Sequence, residues 1–105
     1  MILFEKLDAV GKITLNRPEK YNAFVREMAL ALQNTLVNCA DDDSIRCVLI
    51  TGAGKAFSAG QDLKEATDSE GPKIEKIVRE HYNPIISKIR EIEKPVIAAV
   101  NGVAA

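Results

Sequence analysis

In the first part of the chain, the pattern of apolar and polar residues predicts two strands followed by a helix. Residues Ile2–Leu7 and Val10–Leu15 predict two short strands, and in the second strand Ile13 and Leu15 alternate with polar neighbours. The next apolar residues recur at spacings of three and four, as in an amphipathic helix: Val25, Met28, Ala29, Leu32 and Leu36. We expect this helix to end near the acidic run at 41–43, which favours a solvated turn over a metal site.

The second part of the pattern predicts a strand, a loop, a long helix and a final strand. Residues 47–51 are almost wholly apolar, which predicts a parallel strand buried on both faces. A loop is expected from Gly52 to about Lys64. Helical spacing then returns, and Pro84 should kink or break this helix: Ile74, Ile77, Val78, Tyr82, Ile85, Ile86, Ile89 and Ile92. Residues 95–100 predict the last strand, so helices connect apolar strands and the chain is expected to have an α/β layer fold.

The composition narrows the class of protein and of partner. The chain has 105 residues, 47% of them apolar and 28% charged, which is typical of one globular domain. Its net charge of −1 provides no basic surface, so we expect no nucleic acid partner. The apolar stretch at 1–4 is too short for a signal peptide or a membrane span, so no membrane is expected either. Without an export signal, Cys39 and Cys47 are expected to be buried free thiols, and the protein cytoplasmic.

The end of the chain is unusual for a complete domain. Residues 100–105 are mostly apolar, and they contain no helix-ending signal. We therefore expect residues 1–105 to be the N-terminal part of a single domain that is cut inside a larger unit, with apolar surface left uncovered at the cut.

Several catalytic motifs fail on inspection. The segment at 51–56 is not a phosphate-binding P-loop, because Leu49 stands where that motif needs glycine and Ala56 where it needs Ser or Thr. The dinucleotide fingerprint fails because its third glycine, Gly60, comes too late. His81 is the only histidine, which excludes a multi-histidine metal site and favours a packing or surface role. Ser58 lacks the setting of a hydrolase nucleophile.

The remaining candidate is the loop at 55–64, which follows the predicted buried strand at its carboxyl end. Ligands bind at this end of the strands in open α/β sheets. The three small residues at 58–60 would let a ligand approach the backbone closely. We expect Phe57 and Leu63 to pack into the core on either side, so that the loop offers N–H and C=O groups to a ligand. A tight glycine turn that binds nothing is the alternative.

Four segments, in this order, resemble the crotonase (enoyl-CoA hydratase/isomerase) family. They are Leu15-Asn16-Arg17-Pro18 with Asn22-Ala23, Val48-Leu49-Ile50-Thr51-Gly52, Phe57 to Leu63, and Lys94-Pro95-Val96-Ile97-Ala98-Ala99-Val100-Asn101-Gly102. The resemblance runs over nearly the whole chain. It implies the N-terminal portion of a crotonase-like (ClpP/crotonase) spiral of ββα units. It also implies an enzyme that binds an acyl-CoA thioester and stabilises the enolate formed at its carbonyl.

The resemblance implies roles for individual residues of the loop. The backbone N–H of Gln61 would be one oxyanion donor, and such a donor is worth about 3–4 kcal/mol. The C=O of Ala59 would accept the adenine amino group of CoA, and Lys64, otherwise a lone surface lysine, would reach a CoA phosphate. Asp62 would fix the loop by accepting backbone hydrogen bonds rather than act as a base. Asn22 and Ala23 would line the path of the nucleotide. The full set of residues that the resemblance implies to bind CoA is Asn22, Ala23, Ala59, Gly60, Gln61, Asp62, Leu63 and Lys64.

A narrower resemblance favours the phenylacetate-degradation branch of this family, whose enzyme isomerises ring-1,2-epoxyphenylacetyl-CoA to an oxepin-CoA. It is carried by the segments at 45–54, 59–63, 82–84 and 101–105. Three alternatives stay open: an enoyl-CoA hydratase of fatty-acid β-oxidation, a non-catalytic CoA-binding module, and a purely structural fragment.

The resemblance also implies what residues 1–105 do not contain. The family's second oxyanion donor and its catalytic carboxylates are expected beyond Ala105, so this piece alone is expected to be inactive. No cofactor is expected, because coenzyme A is part of the substrate. The whole protein is expected to form homotrimers or hexamers.

Overall fold

The computed structural model describes all 105 residues, Met1–Ala105. The strands are β1 (Ile2–Leu7), β2 (Val10–Leu15), β3 (Cys47–Gly52), β4 (Ala56–Ser58), β5 (Val96–Ala99) and β6 (Val103–Ala104). The helices are α1 (Arg26–Asp41), α2 (Leu63–Thr67), α3 (Ile74–Ile77) and α4 (Asn83–Glu91), with a 3₁₀ helix at Pro18–Lys20 and a π-helical segment at Val78–Tyr82. No helix combines the length and the apolar content that crossing a membrane requires.

The main sheet has the strand order β1-β2-β3-β5. β1 and β2 form an antiparallel hairpin, and β3 pairs in parallel with both β2 and β5. Parallel neighbours need crossover connections, and α1 supplies the one between β2 and β3. Side chains of the sheet and of α1 and α4 form one apolar core: Ile13, Leu15, Met28, Ala29, Leu32, Leu36, Cys39, Ile45, Val48, Ile50 and Ile85. The α/β layer fold predicted from the pattern is confirmed.

The central strand β3 is buried on one face only, so the prediction that both faces are covered is wrong. Val48 and Ile50 are buried, whereas Cys47, Leu49 and Thr51 are half-buried. The reason is that the core of this chain lies against a single face of the sheet. For the same reason, of the two free thiols only that of Cys39 is buried.

The segment between β3 and α3 has more structure than the loop predicted from Gly52 to Lys64. It contains strand β4, which pairs in parallel with β6 to form a second, two-stranded sheet, and it leads into α2. Phe57 packs partly against the core, but Leu63 is 75% exposed. The prediction that both residues pack into the core is therefore wrong for Leu63, the first residue of α2.

The helical segment after Pro72 continues through Pro84 to Glu91, so the proline does not break it. Instead, the π-helical turn at Val78–Tyr82 precedes the proline. Proline has no N–H to donate, so carbonyls of the preceding turn need other partners. The Nε2 of Gln33 in α1 donates to the C=O of Glu80 at 2.8 Å and to that of His81 at 3.1 Å.

The acidic run after α1 forms a turn, as predicted. Asp42 accepts hydrogen bonds from the backbone N–H and the hydroxyl of Ser44. The ammonium of Lys94 donates to three carbonyls at the end of α1, those of Cys39, Ala40 and Asp42. A cation in this position satisfies carbonyls that have no partner within the helix. No three His, Cys, Asp or Glu side chains of the chain are grouped so that they could hold a metal ion.

Candidate active site

The candidate loop crosses from β4 to α2 and pairs with the segment that precedes α1. The N–H of Phe24 donates to the C=O of Gly60 at 2.7 Å, and the N–H of Asp62 donates to the C=O of Phe24 at 2.9 Å. These two bonds form an isolated parallel bridge between Phe24 and Gln61. In extended backbone, successive peptide groups point to opposite edges. The N–H of Gln61 itself therefore points away from Phe24.

Two backbone groups of this loop have no partner within the chain. The N–H of Gln61 donates to no acceptor, and the C=O of Ala59 accepts from no donor. Both lie outside helices and strands, and Ala59 is exposed. Buried backbone groups are almost always paired within the protein, whereas groups at the surface can stay free for water or a ligand. The loop therefore has one free donor and one free acceptor, on either side of Gly60.

Gly60 separates these two groups and has a left-handed backbone conformation. Its φ is +93°, in the region that residues with a side chain rarely adopt. A Cβ at this position would also lie 3.3 Å from the C=O of Ala105, which follows β6. The positive φ therefore favours glycine at this position, and a Cβ would also require Ala105 to shift by a few tenths of an ångström.

Two asparagines hold the start of the loop. The Nδ2 of Asn22 donates to the C=O of Ala53 and of Ala56, each at 2.9 Å, and its Oδ1 accepts from the N–H of Arg17 at 2.8 Å. The Nδ2 of Asn101 also donates to the C=O of Ala56, at 3.2 Å, while its Oδ1 accepts from the N–H of Gly52 at 3.0 Å. Because of these bonds, the irregular backbone between β3 and β4 has few unpaired groups.

The resemblance implies that Asn22 and Ala23 line a path for the nucleotide, and the structure places the side chain of Asn22 beneath the loop. This side chain has no exposed surface, and its oxygen and both of its N–H donors are already bonded. Ala23 is 9% exposed, and its C=O accepts from the guanidinium of Arg17. Both residues therefore support the loop from beneath.

The turn that contains Asn22 also determines where β4 ends. Tyr21 and Asn22 have φ values of 51° and 58°, in the left-handed region. Their carbonyls accept from the N–H of Ala59 and from the hydroxyl of Ser58, both at 2.9 Å. The oxygen of Ser58 in turn accepts from the N–H of Gly60 at 3.1 Å. Ser58 is buried and serves as a structural link, in agreement with its exclusion as a nucleophile.

Asp62 fixes the other end of the loop, as predicted. Its Oδ1 accepts from the N–H of Glu65 and caps α2, and its Oδ2 pairs with the guanidinium of Arg17 at 2.8 Å. The backbone hydrogen bond from Glu65 and the hydrogen bond from Arg17 hold the pKa of Asp62 below its ordinary value. Its carboxylate is therefore a weak base, and the same guanidinium joins it to the C=O of Ala23.

The lowered pKa of Asp62 predicts a specific pH dependence of stability. A carboxyl group whose pKa is lowered by folding stabilises the fold above its unfolded pKa of about 3.9. That contribution is lost as the pH falls through the lower, folded pKa. Asp62→Asn keeps an acceptor for the cap of α2 but cannot titrate. We expect its free energy of unfolding to fall less steeply than that of the wild type when urea denaturation is followed from about pH 6 to about pH 2.

Asp43→Asn is the matched control for this experiment, because Asp43 is exposed and makes no hydrogen bond. It should follow the steepness of the wild type. If Asp62→Asn also follows the wild type, the ion pair with Arg17 contributes nothing to acid sensitivity.

Lys64 is exposed at the rim of a cleft of about 380 Å³ beside the loop. The cleft is lined mainly by polar and charged residues: Arg17, Val25, Asp62, Lys64, Glu65, Asp68, Gly71 and Pro72. The two basic groups there alternate with carboxylates, and Arg17 is already paired with Asp62. Lys64 is therefore the cation of this cleft that is available to an external anion.

Three residues of the site have roles that the sequence did not reveal. Glu65 accepts from the N–H of Arg26 at the start of α1 and from the side chain of Gln61. Tyr82 donates its hydroxyl to the Oε1 of Gln61. The guanidinium of Arg17 contacts Asp62, which lies 45 residues away. Of these contacts, the sequence indicates only the cap of α2, because an N-cap residue, Asp62, is followed three residues later by Glu65.

Comparison with known proteins gives one consistent result. The sequence profile of the enoyl-CoA hydratase/isomerase family matches residues 5–105. The 1,2-epoxyphenylacetyl-CoA isomerase of Escherichia coli K12 is 48% identical over 99 residues, which are 91% of this chain and 38% of that protein. The structure of DspI from Pseudomonas aeruginosa superposes with a TM-score of 0.88 at 30% identity, covering 98% of this chain and 39% of that one.

An enoyl-CoA hydratase from Mycobacterium marinum superposes with a TM-score of 0.81 at 34% identity. It covers 96% of this chain and 48% of the hydratase chain. The crotonase-like fold class predicted from the sequence is thereby confirmed. The chain spans less than half the length of each of these relatives.

Proposed function

The chain belongs to the enoyl-CoA hydratase/isomerase family, and from that premise we propose that its loop at 59–61 supplies one oxyanion donor and one adenine contact of an acyl-CoA enzyme. The observation that carries the proposal is the pair of unpaired backbone groups, the N–H of Gln61 and the C=O of Ala59. Hydrogen bonds of the neighbouring residues hold both groups in place. The N–H can donate to a thioester carbonyl, and the C=O can accept from an amino group.

The N–H of Gln61 would act on the thioester carbonyl oxygen. When a proton leaves the carbon next to this carbonyl, negative charge moves onto the oxygen and an enolate forms. A preorganised N–H that faces the oxygen stabilises this charge more than it stabilises the neutral ground state, and therefore lowers the barrier. Because the bridge to Phe24 fixes the Gln61 backbone on its other edge, the donor needs little rearrangement.

The nucleotide part of the substrate would extend along the loop. The exposed C=O of Ala59 would accept from the adenine amino group, and the ammonium of Lys64 would pair with a phosphate. Gly60 and Leu63 would contact CoA where they are exposed, and Asn22, Ala23 and Asp62 would keep the loop in place. Coenzyme A enters as part of the substrate, so the proposal includes no cofactor.

The proposed reaction is the isomerisation of ring-1,2-epoxyphenylacetyl-CoA in phenylacetate degradation. Its support is the 48% identity with the 1,2-epoxyphenylacetyl-CoA isomerase of Escherichia coli. Hydration of an enoyl-CoA is the second candidate, favoured by the similarity to the Mycobacterium marinum hydratase. We further propose that the second oxyanion donor and the catalytic carboxylates come from residues beyond Ala105, and that the whole protein is a cytoplasmic homotrimer or hexamer.

A turnover assay tests this proposal and separates its alternatives. The full-length protein that carries this sequence should convert epoxyphenylacetyl-CoA faster than it hydrates crotonyl-CoA, while the chain of residues 1–105 alone should convert neither. Faster hydration of crotonyl-CoA would support the hydratase. Binding of CoA thioesters without any product would support a non-catalytic module, and calorimetry that detects no binding would support a purely structural role.

A further inference from the structure

The side chain of Gln61 is hydrogen-bonded at both ends of its amide. Its Oε1 accepts from the hydroxyl of Tyr82 at 2.6 Å. Its Nε2 donates to the Oε1 of Glu65 at 3.2 Å and to the C=O of Asp62 at 3.1 Å. A glutamine at a loop surface ordinarily loses conformational entropy when it is ordered in this way. Three bonds at this position therefore indicate that the orientation of residue 61 is specified.

Tyr82 itself is positioned by the residue that pairs with the backbone of Gln61. Its ring packs edge-on against Phe24, with ring centroids 5.9 Å apart and planes at 64°. Phe24 also supplies the N–H and C=O that bracket Gln61. The two aromatic residues thus contact Gln61 from two sides, one through its backbone and the other through its side chain.

The π-helical turn at Val78–Tyr82 ends on this tyrosine. A π turn carries an additional residue compared with an α turn and so changes the direction in which the following side chains point; such turns recur at functional sites. The hydroxyl of Tyr82 remains a hydrogen-bond donor at neutral pH, because burial, and after it the charge of Glu65, raises the pKa of this phenol.

We propose that Tyr82 is a positioning residue for the oxyanion donor: by binding the side chain of Gln61, its hydroxyl holds the peptide N–H of residue 61 in the direction of the thioester oxygen. This inference rests on the proposed function of that N–H. Tyr82 acts through Gln61 and does not itself contact the substrate. Stabilisation of the transition state depends on the position of the donor to within fractions of an ångström. Loss of this contact should therefore weaken transition-state stabilisation more than substrate binding.

Tyr82→Phe tests the inference, because phenylalanine keeps the ring against Phe24 and removes only the hydroxyl. In the full-length protein we expect kcat to fall about tenfold and KM to change by less than about twofold. Tyr21→Phe is the matched control, since Tyr21 is 58% exposed, supports the loop only through its backbone C=O, and makes no hydrogen bond with its hydroxyl. It should leave kcat unchanged.

Gln61→Ala supplies the second arm, since it keeps the N–H of residue 61 and removes the acceptor of the Tyr82 hydroxyl. If Tyr82 acts through this side chain, Gln61→Ala and the double variant should each lose about as much kcat as Tyr82→Phe. Multiplying effects in the double variant would overturn the inference. An unchanged kcat in Tyr82→Phe would also overturn it. If Tyr82→Phe does not fold, an unchanged kcat in Gln61→Ala would overturn it instead.

The outcome for the wild type separates this inference from the proposed function. An active wild type with an equally active Tyr82→Phe removes the positioning role and leaves the proposed function intact. A wild type that turns over no CoA thioester removes both.

Discussion

Replacing Gln61 with proline should lower kcat/KM of the full-length protein for its CoA thioester by about 10²- to 10³-fold. Proline has no N–H, so the proposed oxyanion donor is lost. The N–H of Gln61 has no partner in the chain, so the fold should lose no backbone hydrogen bond, and the side-chain bonds of Gln61 are lost equally in Gln61→Ala. The preceding residue is Gly60, which tolerates the backbone restriction that a following proline imposes. The measurement is steady-state turnover, with circular dichroism to compare the folds.

Gln61→Ala is the control that separates the peptide from the side chain. It retains the N–H and should retain about a tenth of the wild-type activity, well above the proline variant. Equal activities of the proline and alanine variants would contradict the assignment, because the effect would then belong to the side chain. A proline variant as active as the wild type would contradict it directly.

Asn22→Asp should lower the free energy of unfolding by at least about 3 kcal/mol at neutral pH. The substitution keeps the volume of the side chain and an acceptor for the N–H of Arg17. It replaces the amide that donates to the carbonyls of Ala53 and Ala56, so a carboxylate oxygen would face two carbonyl oxygens at about the former hydrogen-bond distance of 2.9 Å. The C=O of Ala53 loses the donor of Asn22 while that of Ala56 keeps only Asn101, and a buried unpaired charge adds to the cost.

Asn34→Asp is the matched control for this substitution, because Asn34 lies on the exposed face of α1 and its side chain makes no hydrogen bond. Its effect should stay within about 0.5 kcal/mol. Urea denaturation of both variants checks the comparison. A loss for Asn22→Asp no larger than that of the control would mean that the loop is not held by Asn22.

The regular elements could be predicted from the sequence because each has a local period. The helix α1 buries Met28, Leu32 and Leu36 at helical spacing, and the hairpin of β1 and β2 is the one that the alternation predicts. The covered face of β3 could not be predicted in the same way, because a continuous apolar run does not tell how many faces a sheet has covered.

The site illustrates the same limit at the level of single contacts. The loop could be located from its small residues, and the family resemblance supplied the roles of Gln61 and Ala59. The frame that holds the loop could not be predicted, because it consists of contacts between distant residues, such as Arg17 with Asp62 and Tyr82 with Gln61. Pro84 indicated that its helix would be disturbed. The side chain of Gln33 in α1 donates to a carbonyl of the turn before the proline, and no sequence rule predicts such a contact.

The most direct test of the central claim is the infrared stretching band of a thioester carbonyl bound beside Gln61. Phenylacetyl-CoA labelled with ¹³C at this carbonyl, bound to the full-length protein, allows the band to be isolated by difference spectroscopy. A hydrogen bond from the N–H of Gln61 weakens the C=O bond, so the band should lie at lower wavenumber in the wild type than in free solution. It should move part of the way back in Gln61→Pro. An identical band in the wild type and the proline variant, with ligand bound to both, would contradict the account.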